Sequence, residues 1–182
     1  MDPDLRLLLD HLPPRFADGL RAAGSDAVEL ALAIGRPPVL RLTHGFRVLD
    51  STPIAPTELD AIVDRVGTFR RNNRAGISGT LHRLSLIRDR FGDAAGMTVR
   101  IGRHLTGVAD VIADLLLDRT ASWLLIGPPG AGKTTLLRDV ARVLSQHLGP
   151  AVIVVDSHNE IGGDGTLAHP AIGSARRLQV PD

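Results

Sequence analysis

Apolar residues near the start of the chain recur at the spacing of an amphipathic helix. Four leucines lie at i, i+3, i+4 and i+7, namely Leu5, Leu8, Leu9 and Leu12. Pro13 and Pro14 end this pattern, and a second helix is expected to run through Phe16 and Leu20 to Gly24. The start of the chain therefore predicts two short helices.

Short apolar runs separated by glycine and proline follow, as is typical of strands. Three such runs cover residues 28–33, 38–42 and 46–49. A helix is then predicted from Thr57 to Gly67, because Thr57 with Asp60 three residues later resembles a capping box. Residues 1–67 are thus interpreted as a small α+β unit.

A β-hairpin is predicted next, with arms at residues 81–90 and 97–103 around a glycine-bearing turn. The surrounding stretch, residues 65–104, carries 9 arginines and 2 acidic residues. Such a basic stretch favours a polyanionic partner, either nucleotide phosphates or a nucleic acid bound through Arg70, Arg71 and Arg74. The alternative is a solvated surface whose arginines pair with the acidic N-terminal segment.

The strongest chemical signal is a glycine-rich loop at residues 127–134, which matches the pattern G-x-x-x-x-G-K-[ST] at every specified position. The loop consists of Gly127, Pro128, Pro129, Gly130, Ala131, Gly132, Lys133 and Thr134. Its glycines allow backbone N–H groups to point at phosphate oxygens. We expect Lys133, the one lysine in the chain, to reach the β and γ phosphates, and the Thr134 hydroxyl to ligate Mg²⁺.

The elements around this loop have the order that nucleotide binding requires. A buried strand is predicted at residues 122–126 and an amphipathic helix from Thr134 onward. The helix is expected to bury an apolar stripe of Leu136, Leu137, Val140, Val143 and Leu144, and to expose Arg138, Asp139 and Arg142. A second strand at residues 151–155 ends in Asp156, which predicts the start of a parallel sheet.

A further helix is predicted over residues 107–118, between the hairpin and the loop. Its expected buried stripe consists of Val108, Val111, Ile112, Leu115 and Leu116. Asp110, Asp114 and Asp118 align on the other side and are interpreted as a solvated face, because aspartates on a single helix cannot surround an ion.

Composition narrows the class of protein. The chain is 43% hydrophobic and 23% charged, as in ordinary globular domains, and it has no cysteine, which excludes disulfides and thiolate metal sites. No apolar run approaches the roughly 20 residues of a membrane-spanning helix. The N-terminal residues lack the basic start of a signal peptide, so a cytoplasmic location is expected.

Three segments of the second half together resemble one family. Residues 127–142 read GPPGAGKTTLLRDVAR, residues 152–165 read VIVVDSHNEIGGDG, and residues 169–181 read HPAIGSARRLQVP. They resemble the ATPases related to stage III sporulation protein AA, and more closely their cyanobacterial and plastid-encoded relatives.

The resemblance implies a fold similar to the ring-forming secretion motor ATPases. In that fold an α/β P-loop core with a RecA-like parallel sheet, here residues 105–182, follows a small α+β domain, here residues 1–104. The resemblance adds Thr135 to the residues expected to bind ATP and Mg²⁺. It also implies that Glu160 acts with Lys133 in catalysis by orienting the attacking water, and that the protein is an AAA-type ATPase forming a homo-oligomeric ring such as a hexamer.

One departure from the family leaves the activity open. Such ATPases carry a second acidic motif on a later strand, and this sequence ends at Asp182 before any such strand. We expect a fragment of a longer ATPase that drives a motor or remodelling activity. The alternative is a nucleotide-binding switch without turnover, and a small-molecule kinase is a weaker third.

Arginine and histidine roles are the last expectations. In such ATPases a neighbouring subunit can donate an arginine that stabilises the transition state of phosphoryl transfer. Six arginines are candidates for this role, namely Arg83, Arg88, Arg100, Arg103, Arg176 and Arg177. His158 and His169 are interpreted as loop residues rather than catalysts, with His169 in a mobile loop.

Overall fold

The computed structural model describes residues 2–118 and 121–180. Its first part consists of α1 (Pro3–Leu9), α2 (Pro14–Ala23), β1 (Ala27–Ala33), β2 (Val39–Leu42), β3 (Phe46–Val48), α3 (Pro56–Val66), β4 (Arg74–Gly76), β5 (Arg83–Arg88) and β6 (Ala94–Arg100). The six strands form one antiparallel sheet in the order β3-β2-β1-β6-β5-β4. The predicted α+β unit and the hairpin, formed by β5 and β6, are therefore parts of a single sheet.

Side-chain alternation across this sheet determines where the core lies. Two apolar rows cross β1, β6 and β5: Leu30, Val99 and Leu84 in one, and Leu32, Met97 and Leu86 in the next. These residues are buried together with Phe16, with Leu5, Leu8 and Leu9 of α1, and with the leucines of α2 and α3. Because successive side chains of a strand point to opposite faces, the neighbouring row of Glu29, Arg100 and Arg83 lies on the other side of the sheet.

The start of α3 differs from the predicted capping box. Pro56 occupies the first helical position, so Glu58, rather than Asp60, is the third helical residue. The Glu58 carboxylate accepts the Ala55 N–H at 3.0 Å. The prediction that Thr57 and Asp60 form the box is wrong by two residues, because proline at the first position needs no hydrogen-bond acceptor for its nitrogen.

The helix predicted over residues 107–118 is shorter than expected. A 3₁₀ turn at Asp110–Ile112 leads into α4 (Ala113–Leu117). Val111 is 84% exposed and Leu115 is 47% exposed, so the predicted buried stripe is wrong. Instead the segment is anchored by buried Ala109, whose N–H donates to the Asp139 carboxylate at 2.8 Å.

The second part of the chain contains α5 (Lys133–Leu148), β7 (Ile153–Asp156) and β8 (Arg176–Gln179). Strands β7 and β8 pair in parallel, but β8 was not predicted, and the predicted partner of β7 was the segment 122–126. The strand predicted at residues 122–126 is absent from the described structure. That segment pairs with neither β7 nor β8, and without a hydrogen-bonded neighbour its apolar side chains remain exposed, Leu124 by 84% and Ile126 by 81%.

Helix α5 buries a different face from the predicted one. Arg138, Asp139, Ala141, Val143 and Ser145 are buried, whereas Leu137 is 42% exposed. The physical reason is that the segments after β7 pack on the polar side of α5, where Arg138 and Ser145 hydrogen-bond to their backbone. Within the described residues, the apolar stripe faces β7 and the neighbouring Val152 and Ile161 across a groove of about 210 Å³.

Two hydrophobic clusters result. The large one draws its buried residues from Leu5 to Ile101, and the small one consists of Ala141, Val154 and Ile172. A domain boundary at residue 104 stays a prediction. None of the helices in the described ranges combines the length and apolarity that crossing a bilayer requires.

Candidate functional site

The glycine-rich loop leads directly into α5. Gly130 and Gly132 have φ values of 79° and 85°, in the left-handed region that side chains with a Cβ disfavour. The Lys133 Nζ donates to the carbonyls of Gly127 at 2.7 Å and Pro128 at 2.8 Å. The lysine is thus folded over the loop, with its charge at the N-terminal end of a 16-residue helix, where an anion is favoured by the free N–H groups and the helix dipole.

Thr134 and Thr135 line a cavity of about 200 Å³ between the first turn of α5 and the N-terminal sheet. The other polar residues of this cavity are His82, Arg83, Arg100, Arg103, Arg138, Asn159, Glu160 and Asp164. The predicted Glu160 and three of the six candidate arginines therefore lie around one space with the threonines of the P-loop motif. Arg83 and Arg100 are directly opposite each other in β5 and β6, which is unfavourable for like charges and favours an anion nearby.

The loop that carries Glu160 is organised by Asp156. This aspartate is 3% exposed, and its carboxylate accepts from the backbone N–H groups of Glu160 at 2.9 Å, Ile161 at 3.0 Å and Gly162 at 2.8 Å. Because its oxygens accept these three bonds, Asp156 fixes the backbone conformation of the loop.

Arg138 joins the same loop to α5 and was not predicted to take part. Its Nε donates to the Ile161 carbonyl and its Nη2 to the Glu160 carbonyl, both at 2.7 Å. Burial lowers the pKa of Arg138, and the charge of Asp156 opposes that shift. The signal available in the sequence was its position one turn after Thr134, on the same side of the helix.

The Glu160 side chain points toward the N-terminal sheet. Its Oε1 lies 3.4 Å from Nη1 of Arg83, and the carboxylate is half-exposed. An exposed pair of this length contributes little to stability. It can therefore open at small cost when either partner meets another charge.

Several of the six candidate arginines are engaged elsewhere. Arg177 donates to four carbonyls of the loop, those of Gly162, Gly163, Gly165 and Thr166, and burial lowers its pKa. Arg88 donates to Asn73 and to the Gly92 carbonyl, and Arg176 donates to the Pro150 carbonyl. Arg103 donates to the Gly24 and Ala27 carbonyls while lining the cavity. Arg83 and Arg100 are the candidates whose position best suits the site.

The arginines of the proposed nucleic-acid contact differ in their surroundings. Arg70 lies 3.4 Å from the carboxylate of Asp164, whose side chain is 5% exposed. Burial raises the pKa of Asp164, and the charges of Arg70, Arg83 and Arg74 oppose that shift. Arg71 is exposed. The basic stretch is therefore partly an internal ion-pair network.

The two histidines also differ. His158 is exposed beside the Ser157 hydroxyl at 2.9 Å, as a loop residue would be. His169 is 2% exposed and its Nε2 lies 2.6 Å from the Asp4 carboxylate. The interpretation of His169 as part of a mobile loop is wrong, because its bond to α1 fixes it between the two parts of the chain.

Comparison with solved structures identifies the fold. The Legionella pneumophila ATPase DotB matches with a TM-score of 0.53 and 19% identity over 92% of this chain and 52% of DotB. The pilus retraction motor PilT, solved with bound ADP, matches with a TM-score of 0.62 and 16% identity over 90% of this chain and 50% of PilT. The fold is that of the P-loop motor ATPases.

Sequence comparison identifies nearer relatives. Protein SEEDLING PLASTID DEVELOPMENT 1 of Arabidopsis thaliana is 41% identical over 98% of this chain and 26% of its own length, and protein ycf45 of Porphyra purpurea is 43% identical over 97% of this chain and 32% of its own length. Stage III sporulation protein AA of Bacillus subtilis is 36% identical over 53% of this chain and 33% of its own length. No protein-family model matches.

The chain is thus related to stage III sporulation protein AA and its plastid-type homologues, with the fold of P-loop motor ATPases. This confirms the resemblance and the fold class predicted from the motifs. The chain spans about a quarter to a third of the length of these relatives.

Proposed function

We propose that this chain binds Mg-ATP at residues 127–135 and supplies the nucleotide site of a motor or remodelling ATPase. The observation that carries the proposal is the cavity that Thr134, Thr135 and Glu160 share with the arginines of β5 and β6. A fold found in an ATPase and in an ADP-bound motor supports it. The proposal includes a cytoplasmic homo-oligomeric ring, such as a hexamer.

The residues present suit Mg²⁺ and a polyphosphate. Thr134 offers a hydroxyl oxygen at the start of α5, a donor type that Mg²⁺ prefers. When bound, the ion would neutralise charge that develops on the phosphates. Backbone N–H groups of the loop and Lys133 would hold the phosphates, and Thr135 would line the same side of the site.

Glu160 would orient the water that attacks the terminal phosphate. For this its carboxylate has to leave Arg83, and Arg83 and Arg100 would gain phosphate oxygens as partners in exchange. Arg138 and Asp156 would keep the Glu160 backbone at a fixed distance from α5 during this exchange. Positioning and charge neutralisation are the main contributions to phosphoryl transfer, so these roles need no covalent step on the protein.

A nucleotide-binding switch without turnover is the second candidate. It is favoured by the engagement of buried Asp156 with three backbone N–H groups, because that carboxylate then holds the loop instead of acting on a bound nucleotide. In that case nucleotide binding would change the Glu160–Arg83 contact without hydrolysis.

Calorimetry with Mg-ATP and an assay of phosphate release test both candidates on this chain. Lys133→Ala is expected to weaken binding by at least about tenfold, because it removes the charge that meets the β and γ phosphates. Glu160→Gln is expected to retain binding and abolish phosphate release. Arg71→Ala, an exposed change far from the loop in sequence, is the matched control and should leave both unchanged.

The outcomes separate the candidates. Release that depends on both Lys133 and Glu160 supports the ATPase, and binding without release supports the switch. Equal affinity in wild type and Lys133→Ala would contradict the proposed nucleotide site.

A further inference from the structure

Two buried histidines to which the proposed nucleotide site assigns no role lie close to Asp4 of α1. His169, from the second part of the chain, is 2% exposed and its Nε2 lies 2.6 Å from Oδ2 of Asp4. His82, next to β5, is 1% exposed, and its Nε2 has no hydrogen-bond partner among the described residues. Asp4 therefore binds the imidazole of the P-loop part directly, and it acts on the imidazole of the N-terminal sheet by raising its pKa against the larger effect of burial.

Backbone hydrogen bonds fix which nitrogen of each ring carries the hydrogen. The His169 Nδ1 accepts the Ala171 N–H at 3.0 Å, and the His82 Nδ1 accepts the Gly102 N–H at 3.1 Å. A ring nitrogen that accepts a hydrogen bond carries no hydrogen, so each neutral imidazole has its hydrogen on Nε2. The His169 Nε2–H then donates to the Asp4 carboxylate.

Protonation of either ring would disrupt these contacts. The added hydrogen has to go to Nδ1, where it would face the backbone N–H that Nδ1 now accepts. The ring would have to turn or move, and the N–H of Ala171 or Gly102 would lose its acceptor. Gly102 and the following Arg103 line the cavity beside the P-loop threonines, so the change would reach the candidate nucleotide site.

The same cluster is poorly suited to a metal ion. His104, with its ring centroid 4.8 Å from that of His169, completes a set of three donors with Asp4. A metal would need the lone pair of the His169 Nε2, which carries the hydrogen. The 2.6 Å separation from Asp4 is a hydrogen-bond distance and is shorter than the roughly 3.3 Å between two ligands of a tetrahedral zinc ion.

We propose that Asp4 and His169, with His82 as a second buried imidazole beside them, form a proton-operated latch, which ties α1 to the P-loop part through the Asp4–His169 bond while both imidazoles are neutral and releases it when they are protonated. The latch joins residues 165 positions apart in the sequence. Its release would free α1 at one end and the turn at Pro170–Ile172 at the other.

The charges around the rings give the direction of the pH dependence. Burial is the largest influence on both rings and lowers the pKa of His82 and of His169 below 6.5. Among the other groups, Asp4 and Asp2 raise the pKa of His82, and His169 lowers it. Asp4 raises the pKa of His169, and His104 and Arg138 lower it.

The sign of the effect on stability follows. Because the folded pKa values are lowered, the unfolded chain binds more protons than the folded chain just below pH 6.5. The contribution of the latch is fully present above pH 6.5, and it is lost as the pH falls from 6.5 toward the folded pKa values.

Nitrogen-15 NMR of the histidine side chains in the full chain, from about pH 8 to about pH 5, tests the latch. His82 and His169 are expected to be Nε2–H tautomers at the upper end and to titrate below 6.5. The amide signals of Gly102 and Ala171 are expected to shift with the same midpoints. An Nδ1–H tautomer, or amides that do not move with the rings, would overturn the proposal.

Two variants and a metal addition test the assigned charges. Asp4→Asn keeps an acceptor for the His169 Nε2–H but removes the charge, so the His169 midpoint should move to lower pH. His104→Gln removes an exposed group that lowers the same pKa, so it is the matched control and should shift the midpoint upward. Adding Zn²⁺ at about pH 8 should leave the His169 Nε2 signal unchanged. A metal-bound Nε2, or a His169 midpoint that moves to higher pH in Asp4→Asn, would overturn the latch. If a variant does not fold, the tautomers and midpoints of the wild-type chain decide whether the proposal holds.

Discussion

In the N-terminal sheet, Leu30, Val99 and Leu84 are fully buried, whereas Leu137 of α5 is 42% exposed and Val155 of β7 is 59% exposed. These residues are equally apolar and lie in elements of similar regularity. The difference is that every apolar row of β1, β6 and β5 has a covering helix within residues 1–66, while the stripe of α5 faces a single strand. Apolar periodicity therefore predicts which side can be buried, and burial itself depends on a partner surface.

Polar contacts replace apolar packing in the P-loop part. Its small cluster of Ala141, Val154 and Ile172 is surrounded by buried polar groups, among them Arg138 and Asp156. Such groups are stable in the interior only when they are hydrogen-bonded, and both are. The loop that carries Glu160 is thus stabilised by charge-assisted hydrogen bonds, whereas the N-terminal sheet is stabilised by the packing of apolar side chains.

The largest expected effect contrasts the two kinds of burial. Phe16→Ala, at a position with 0% exposure, should lower the free energy of unfolding by about 3–5 kcal/mol, because it removes a large side chain and leaves a cavity. Leu137→Ala, in a half-covered stripe, should cost less than about 1 kcal/mol. Denaturant unfolding of both variants measures the difference, and similar losses would contradict the contrast.

A smaller effect is expected at the polar interior of the P-loop part. Arg138→Gln removes the guanidinium group that donates to the Glu160 and Ile161 carbonyls. A buried acceptor left without a donor lowers the free energy of unfolding by about 1–3 kcal/mol. Hydrogen exchange should show lost protection of the Glu160–Gly162 amides. Arg176→Gln, which loses one exposed bond to the Pro150 carbonyl, is the control, and equal loss of protection in both would contradict the role of Arg138.

The smallest effect is expected in the basic stretch. If it binds a polynucleotide, Arg71→Ala and Arg74→Ala should each weaken binding and lower the salt slope by about one contact, because each removes a phosphate partner. Arg70→Ala should change binding less than these, since Arg70 is paired with Asp164. Fluorescence anisotropy at several salt concentrations measures polynucleotide binding. Unchanged binding in a variant with alanine at all three positions, Arg70, Arg71 and Arg74, would reject the nucleic-acid hypothesis.

Local patterns account for the features that could be predicted. The helices before Gly24, the hairpin, α5 and β7 follow from helical and strand periodicities within a few residues, and the glycine-rich loop follows from a motif with fixed spacing. Errors of two residues, as at the start of α3, arise because a cap depends on which backbone N–H lacks a partner. The prediction of a buried strand at residues 122–126 is wrong because a strand needs a neighbour that periodicity does not supply.

By itself the sequence determined the class of elements, the phosphate-binding loop, and the family it resembles, since each depends on residues close together in the chain. Only the tertiary structure decided that α5 buries Arg138, that Glu160 meets Arg83, and that His169 meets Asp4. These contacts join segments 22 to 165 residues apart. They depend on which buried backbone and side-chain groups still need a hydrogen-bond partner once the chain is folded, and the local periodicity of apolar residues does not predict this.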